Sequence, residues 1–306
     1  MSKGDSNSRW FVLLVGIVAT AVTASEALGR LRLPRATKTL RPGVSVLKGS
    51  GPSPIITKYS AAWPAAGGAN AKPRSARAPA RRSQRGWELY EPLIANLIGA
   101  PDGPGTKRFA PALAKWQRTH GITPTGILND ATWMEMVSTF QSRRIKDRSH
   151  PARERLLIAP IADCFDQERP EELRLVEREA YAAYKRMIKA AAADRSLRLS
   201  ATAHGDLAPD ERFLKIISAY RTSEYQAELR KRSPRSGRAG LAINSPHFTG
   251  RALDLYVGGE PVSTRDGNRA VQTRTPVYRW LVRNAARFGF HPYFYEPWHW
   301  EYVGKD

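Results

Sequence analysis

Apolar positions recur at regular spacing in two stretches of the chain, 87–145 and 155–306. In the first, Leu89, Leu93, Ile94, Leu97 and Ile98 fall three and four residues apart, the interval that lines one face of a helix. Phe109, Leu113 and Trp116 repeat that spacing, and Gly121 follows where a helix would end in a left-handed turn. Asn129 or Asp130 can cap a third helix bearing Trp133 and Met136. In the second stretch, Leu173, Val176, Ala180, Tyr184, Met187 and Ala191 predict a long helix over 171–194. The mostly apolar run 213–220 predicts a buried strand, and Ser223 with Gln226, at capping-box spacing, predicts a helix just after it. A second strand is expected over 252–257. Thr275 and Pro276 then supply a cap and a first-turn proline for a helix with Val277, Trp280, Leu281 and Phe288, which Gly289 stops. The aromatic runs 293–295 and 298–302 read as strand segments. Helices and strands in this irregular order predict an α+β domain rather than a doubly wound sheet, preceded by a small all-α module.

Charge adds a partner class. Lys and Arg number 49 against 28 Asp and Glu, a net charge of +21 over 306 residues. A balance this basic suits an anionic membrane, an acidic wall polymer or nucleic acid. Much of the excess sits in 28–86, which has no acidic residue and is filled by Pro, Gly, Ala and Ser. With little to bury and charges that repel, it reads as a disordered, extended linker able to lie along an anionic membrane or wall. Ahead of it, Lys3 and Arg9 precede an uncharged run from Trp10 to Ser25. That run is shorter than the ~20 residues of a bilayer span and fits the apolar part of a secretory signal, so 1–27 is expected to be a signal peptide or a membrane anchor. Export to the periplasm or cell wall follows, which argues against nucleic acid as a partner. Cys164 is the one cysteine, so neither an intrachain disulfide nor a Cys-rich metal motif is available, and a small buried residue is expected there.

The chemistry concentrates at the C-terminal end. Ser245, His247, Gly250, Ala252 and Asp254 form one short motif, and Glu296 with His299 forms another. Gly250 lets the backbone turn between His247 and Asp254, so a loop followed by a strand can aim both side chains at one point. Asp254 lies between Leu253 and Leu255, and a carboxylate buried there must be paired, hydrogen-bonded or metal-bound. Taken singly, Asp254 fits an ion pair with Arg251 or another Arg, and His299 fits either a metal ligand or a core imidazole. Arg221, where a strand passes into a helix, could grip a carboxylate or make a surface ion pair. Ser245 could meet a substrate or only begin a turn before Pro246. His120 and His150 are assigned no role, and His204 and His291 read as structural or surface residues.

The two motifs together resemble the zinc D-alanyl-D-alanine carboxypeptidases, the peptidoglycan peptidases of the vancomycin-resistance type. The resemblance implies an antiparallel sheet with helices, of the Hedgehog and D,D-peptidase kind, over 155–306. It implies His247, Asp254 and His299 as Zn2+ ligands and Glu296 as catalytic base. It also implies Arg221, in Ser218-Ala219-Tyr220-Arg221-Thr222, as the clamp for a substrate carboxylate, with Ser245 contributing a hydroxyl. Ala219 and Thr222 stand where the family has Gly and Ser. The segment 87–145 resembles the peptidoglycan-binding helical domain of wall hydrolases, with Thr125-Gly126 where Asp-Gly is common, and is expected to be separable from the chemistry. The implied activity is removal of the terminal D-Ala from peptidoglycan stem peptides. An endopeptidase, an L,D-carboxypeptidase of the same architecture and a non-catalytic wall-binding scaffold are the alternatives.

Overall fold

The computed structural model describes residues 76–77, 83–84, 87–233 and 241–304. The apolar N-terminal run and most of the basic segment lie outside them; among the described residues no helix is long and apolar enough to cross a membrane.

Three helices come first: α1 (Glu91–Leu97), α2 (Phe109–Thr119) and α3 (Asp130–Ser142). Asn129 caps α3, its side chain accepting from the Thr132 amide at 2.9 Å. Gly121 holds φ +71° after α2, the left-handed conformation that glycine adopts without a Cβ clash. Leu93, Ile94, Phe109, Leu113, Trp133 and Met136, one pair from each helix, are buried.

The second part opens with β1 (Leu156–Ile158) paired antiparallel with β2 (Leu175–Glu177), which leads into α4 (Arg178–Ala193). The helix expected from residue 171 therefore begins seven residues later. Val176 is buried on either reading, but pairing with β1 extends 175–177, and the buried Glu177 caps α4 by accepting from the Ala180 amide. The central sheet comprises β3 (Ile216–Ser218), β4 (Ala252–Leu255), β5 (Phe290–Pro292) and β6 (His299–Tyr302), in the antiparallel order β3-β4-β6-β5. The strand expected over 213–220 is shorter because Leu214 takes φ +66°. Between β3 and β4 runs α5 (Ser223–Arg232), capped by Thr222 rather than Ser223. Between β4 and β5 run α6 (Asp266–Arg274) and α7 (Pro276–Asn284), and Thr275 caps α7 as its sequence predicts. Residues 293–295 do not form a strand. They turn the chain from β5 into β6 between Pro292 and Pro297, neither of which can donate to a ladder, and the Tyr293 amide closes the turn on the His299 carbonyl.

Alternation along the strands separates two faces. Leu253, Leu255, Trp300 and Tyr302 enter a core shared with Val176, Ala180, Tyr184 and Met187. The other face carries Ser218, Asp254 and His299 side by side, since Ser218 pairs with Asp254 and Asp254 with His299. Glu301, two residues beyond His299, lies on that same polar face and is completely buried.

The helical segment is not merely strung ahead of the sheet. Tyr90 accepts from Arg269 of α6 at 2.9 Å, and Arg279 of α7 reaches Glu91 at 2.8 Å. Tyr90, Trp133 and Phe140 surround Phe294, with ring centroids 6.0, 6.0 and 6.5 Å away. Both parts thus contribute to one apolar cluster.

Candidate metal centre

The approach of His247 is set by a short turn. Ser245 begins the turn Pro246–Thr249, its hydroxyl accepting from the His247 amide at 3.3 Å. Gly250 ends it at φ +66°, and a Cβ there would stand 3.0 Å from the Glu177 amide nitrogen and 3.0 Å from Leu156. The chain then enters β4 and delivers Asp254. His299 arrives on the neighbouring strand directly opposite Asp254. Thus one turn, one glycine and one strand register bring three distant residues to a point. All three are buried, and a ligand atom from each lies within 4.8 Å of the others.

The inward-facing atoms are identifiable. His247 Nε2 stands 3.3 Å from Asp254 Oδ2, and His299 Nδ1 stands 2.9 Å from Asp254 Oδ1. Tetrahedral zinc with ligand distances of 2.0–2.1 Å needs ligand atoms about 3.3 Å apart, so these spacings are near what such an ion takes. Each imidazole is also held from behind. His247 Nδ1 contacts the Ala219 carbonyl at 2.6 Å, and His299 Nε2 contacts Glu301 at 3.1 Å. A ring nitrogen that donates to an oxygen fixes the tautomer and turns the lone pair of the other nitrogen toward a cation. The donor set therefore fits a divalent metal.

Electrostatics agree with that arrangement. Burial would raise the Asp254 carboxyl, but His247, His299 and Arg221 outweigh it and hold it well below the usual carboxylate range. Burial, with the charge of Arg221, lowers His247 to about 4, leaving the neutral form that a metal takes. Burial also lowers His299, yet hydrogen bonds to Asp254 and Glu301 prevail and raise it to about 9, so between these carboxylates the ring holds a proton that a bound metal would displace. Glu296 lies in the turn ahead of His299, whose amide donates to the Glu296 carbonyl at 2.9 Å. Its buried carboxyl is raised to about 7, chiefly by desolvation, in the field of His299, Asp254, Arg144 and Arg221. A carboxylate near neutrality can both take and return a proton.

Arg221 is also at the centre. Its Nη2 donates to Asp254 at 2.7 Å, Nε to Ser218 at 3.0 Å and Nη1 to Gln226 at 3.4 Å. The Asp254 ion pair allowed by the sequence is thus made with Arg221, which keeps two of its five N–H donors beyond these contacts. Ser245 is buried and caps its turn, as the more modest reading of its position required. Cys164 is buried and free. His150, assigned no role, stacks on Phe248 at 4.8 Å and contacts Tyr220 and Ser223, beside the turn that carries His247.

Sequence reasoning passed over Glu301. It belongs to neither motif, and its signal was only its position two residues past His299 in a strand, where both must share a face. Arg144, which donates to Glu301, lies 157 residues away in the chain and carried no signal.

An antiparallel sheet presenting a buried His–Asp–His group beside a carboxylate raised toward neutrality is the apparatus of a hydrolase able to hold a metal. Residues 173–305, the part that carries both motifs, match the VanY family model, D-alanyl-D-alanine carboxypeptidase. A comparison with curated proteins gives no match for the chain.

Proposed function

We propose that the protein is an exported zinc D,D-carboxypeptidase that removes the terminal D-Ala of peptidoglycan stem peptides. The observation that carries this reading is the convergence of His247, Asp254 and His299, buried, with both rings oriented from behind, beside Glu296. The VanY match supports peptidase activity on peptidoglycan peptides. The apolar run before the basic segment supports export, with the periplasm or cell wall as destination and 1–27 as signal or anchor. The charge of 28–86 supports contact with an anionic membrane or wall, and the helical segment 87–145 supports retention on the wall.

Zinc held by His247, Asp254 and His299 would supply Lewis acidity, activating a water and polarising the peptide carbonyl. Glu296 accepts the proton of the attacking water and returns it to the leaving amine. Arg221, through its remaining donors, binds the substrate's terminal carboxylate, for which a planar guanidinium is suited. Ser245 orders the turn that presents His247 and sets a hydroxyl beside it.

Purified protein should contain one zinc per chain, lost to a chelator. His247→Ala, Asp254→Ala and His299→Ala should each reduce zinc content severely. Digestion of muropeptides should shorten pentapeptide stems by one alanine, and C-terminal amidation should block it. Stoichiometric zinc in all three variants would sink the ligand assignment; cleavage of cross-links or of amidated stems would favour an endopeptidase.

A further inference from the structure

The support of His299 does not end within the peptidase domain. Glu301 contacts His299 Nε2 through Oε1, and the same oxygen accepts from Arg144 Nε at 2.7 Å and from Arg144 Nη2. The other carboxylate oxygen, Oε2, accepts from the Ile145 amide at 2.8 Å. Arg144 and Ile145 follow α3 directly, so they are the tail of the helical segment. Arg144 is seated: its guanidinium lies 4.1 Å over the Tyr293 ring, its Nη1 donates to Gln141, and its side chain is 14% exposed against 0% for Glu301. Thus both oxygens of a fully buried carboxylate are committed, one to the candidate metal ligand and both to the helical segment.

The geometry points to Arg144 and Glu301 as positioning residues of the metal centre: the tail of the helical segment orients Glu301, which orients His299. This rests on the zinc reading above and extends it to a part of the chain outside the VanY match. The physical basis is general. A buried carboxylate behind a ligand imidazole selects the tautomer and fixes the ring plane, and loss of such a partner lowers metal affinity by about 10–100-fold. A carboxylate so placed must itself be held, because uncompensated charge in the interior swings or protonates. Arg144 supplies the balancing charge and Ile145 the second hydrogen bond. The helical segment would then serve the chemistry directly, whatever else it binds.

The test is zinc affinity of the full chain, measured by competition with a chromophoric chelator, together with the visible spectrum of the Co2+-loaded protein. Glu301→Ala is expected to bind zinc about 10–100-fold more weakly and to shift the cobalt bands. Arg144→Ala should weaken zinc less, because the Ile145 amide still holds Glu301, and Arg144→Lys should recover part of the loss. Adding Arg144→Ala to Glu301→Ala should change nothing further, since residues acting through one another are not additive. Wild-type affinity and spectrum in Glu301→Ala would overturn the inference, as would full additivity of the two changes. If Glu301→Ala does not fold, the Arg144 series decides: graded affinity in the order wild type, Lys, Ala supports it, and equal affinity in all three overturns it. Failure of the wild-type protein to bind zinc at all would instead overturn the metal reading on which it rests.

Discussion

Glu296 is the residue to which the proposed mechanism assigns the proton. Burial raises its carboxyl to about 7, whereas Glu301, also buried, is held at about 2 because its hydrogen bond with His299 and the charges of His299 and Arg144 outweigh its desolvation. Two carboxylates five residues apart are thus divided by environment, one fit to exchange a proton and one fit to remain a fixed anion. Glu296→Gln keeps the shape of the side chain and cannot accept a proton. Turnover should fall by about 10²-fold or more while zinc content and melting temperature stay near those of the wild type. Full activity would place the base elsewhere, and loss of zinc would make Glu296 a ligand. At this scale the sequence was informative where chemistry comes in short motifs: His247, Asp254 and His299 come together in one buried group, as the resemblance carried by their motifs implied. It was silent on Glu301, whose importance depends on a strand face, and on Arg144, whose partner is distant in the chain.

Elements were legible where the local signal was chemical and less so where pairing decided. Thr275 and Pro276 mark the start of α7, and Asn129 that of α3, because a side-chain oxygen at the helix entry satisfies an amide that nothing else in the helix can. Residues 175–177 have helical spacing but pair with β1, so α4 starts later than its periodicity predicts, and the aromatic residues 293–295 serve packing rather than a ladder. The Thr275 cap can be measured. Its hydroxyl accepts from the Tyr278 amide at 3.1 Å and also contacts the Val257 carbonyl at 3.0 Å, joining α7 to the end of the segment that carries Asp254. Thr275→Ala should cost about 1–2 kcal/mol, with Thr275→Ser recovering most of it. Urea unfolding followed by circular dichroism gives the value, and an unchanged midpoint in the Ala variant would mean that solvent replaces the cap at no cost.

At the scale of the whole molecule, the expectation that the helical segment is separable from the chemistry meets a shared interior. Phe294, in the turn that carries Glu296, is enclosed by Tyr90, Trp133 and Phe140, while Arg269 joins Tyr90 to Tyr295 by a hydrogen bond and a guanidinium 4.3 Å from the Tyr295 ring. Periodicity could show that each part has an apolar face, but not that the two faces meet, since that depends on residues about two hundred positions apart. The packing makes a thermodynamic prediction. Trp133 is 7% exposed and its ring lies 4.6 Å from that of Tyr90, so Trp133→Ala should remove about 3–5 kcal/mol from a single cooperative unfolding transition. Calorimetry of the full chain, with hydrogen exchange read separately in α2 and in β4–β6, would follow both parts. Coupled parts lose protection together and melt together at a lower temperature. Two transitions, of which only the one assigned to the helices moves, would show that the segment is a passenger. The peptidase sheet and the seating of Glu296 would then have to stand without it.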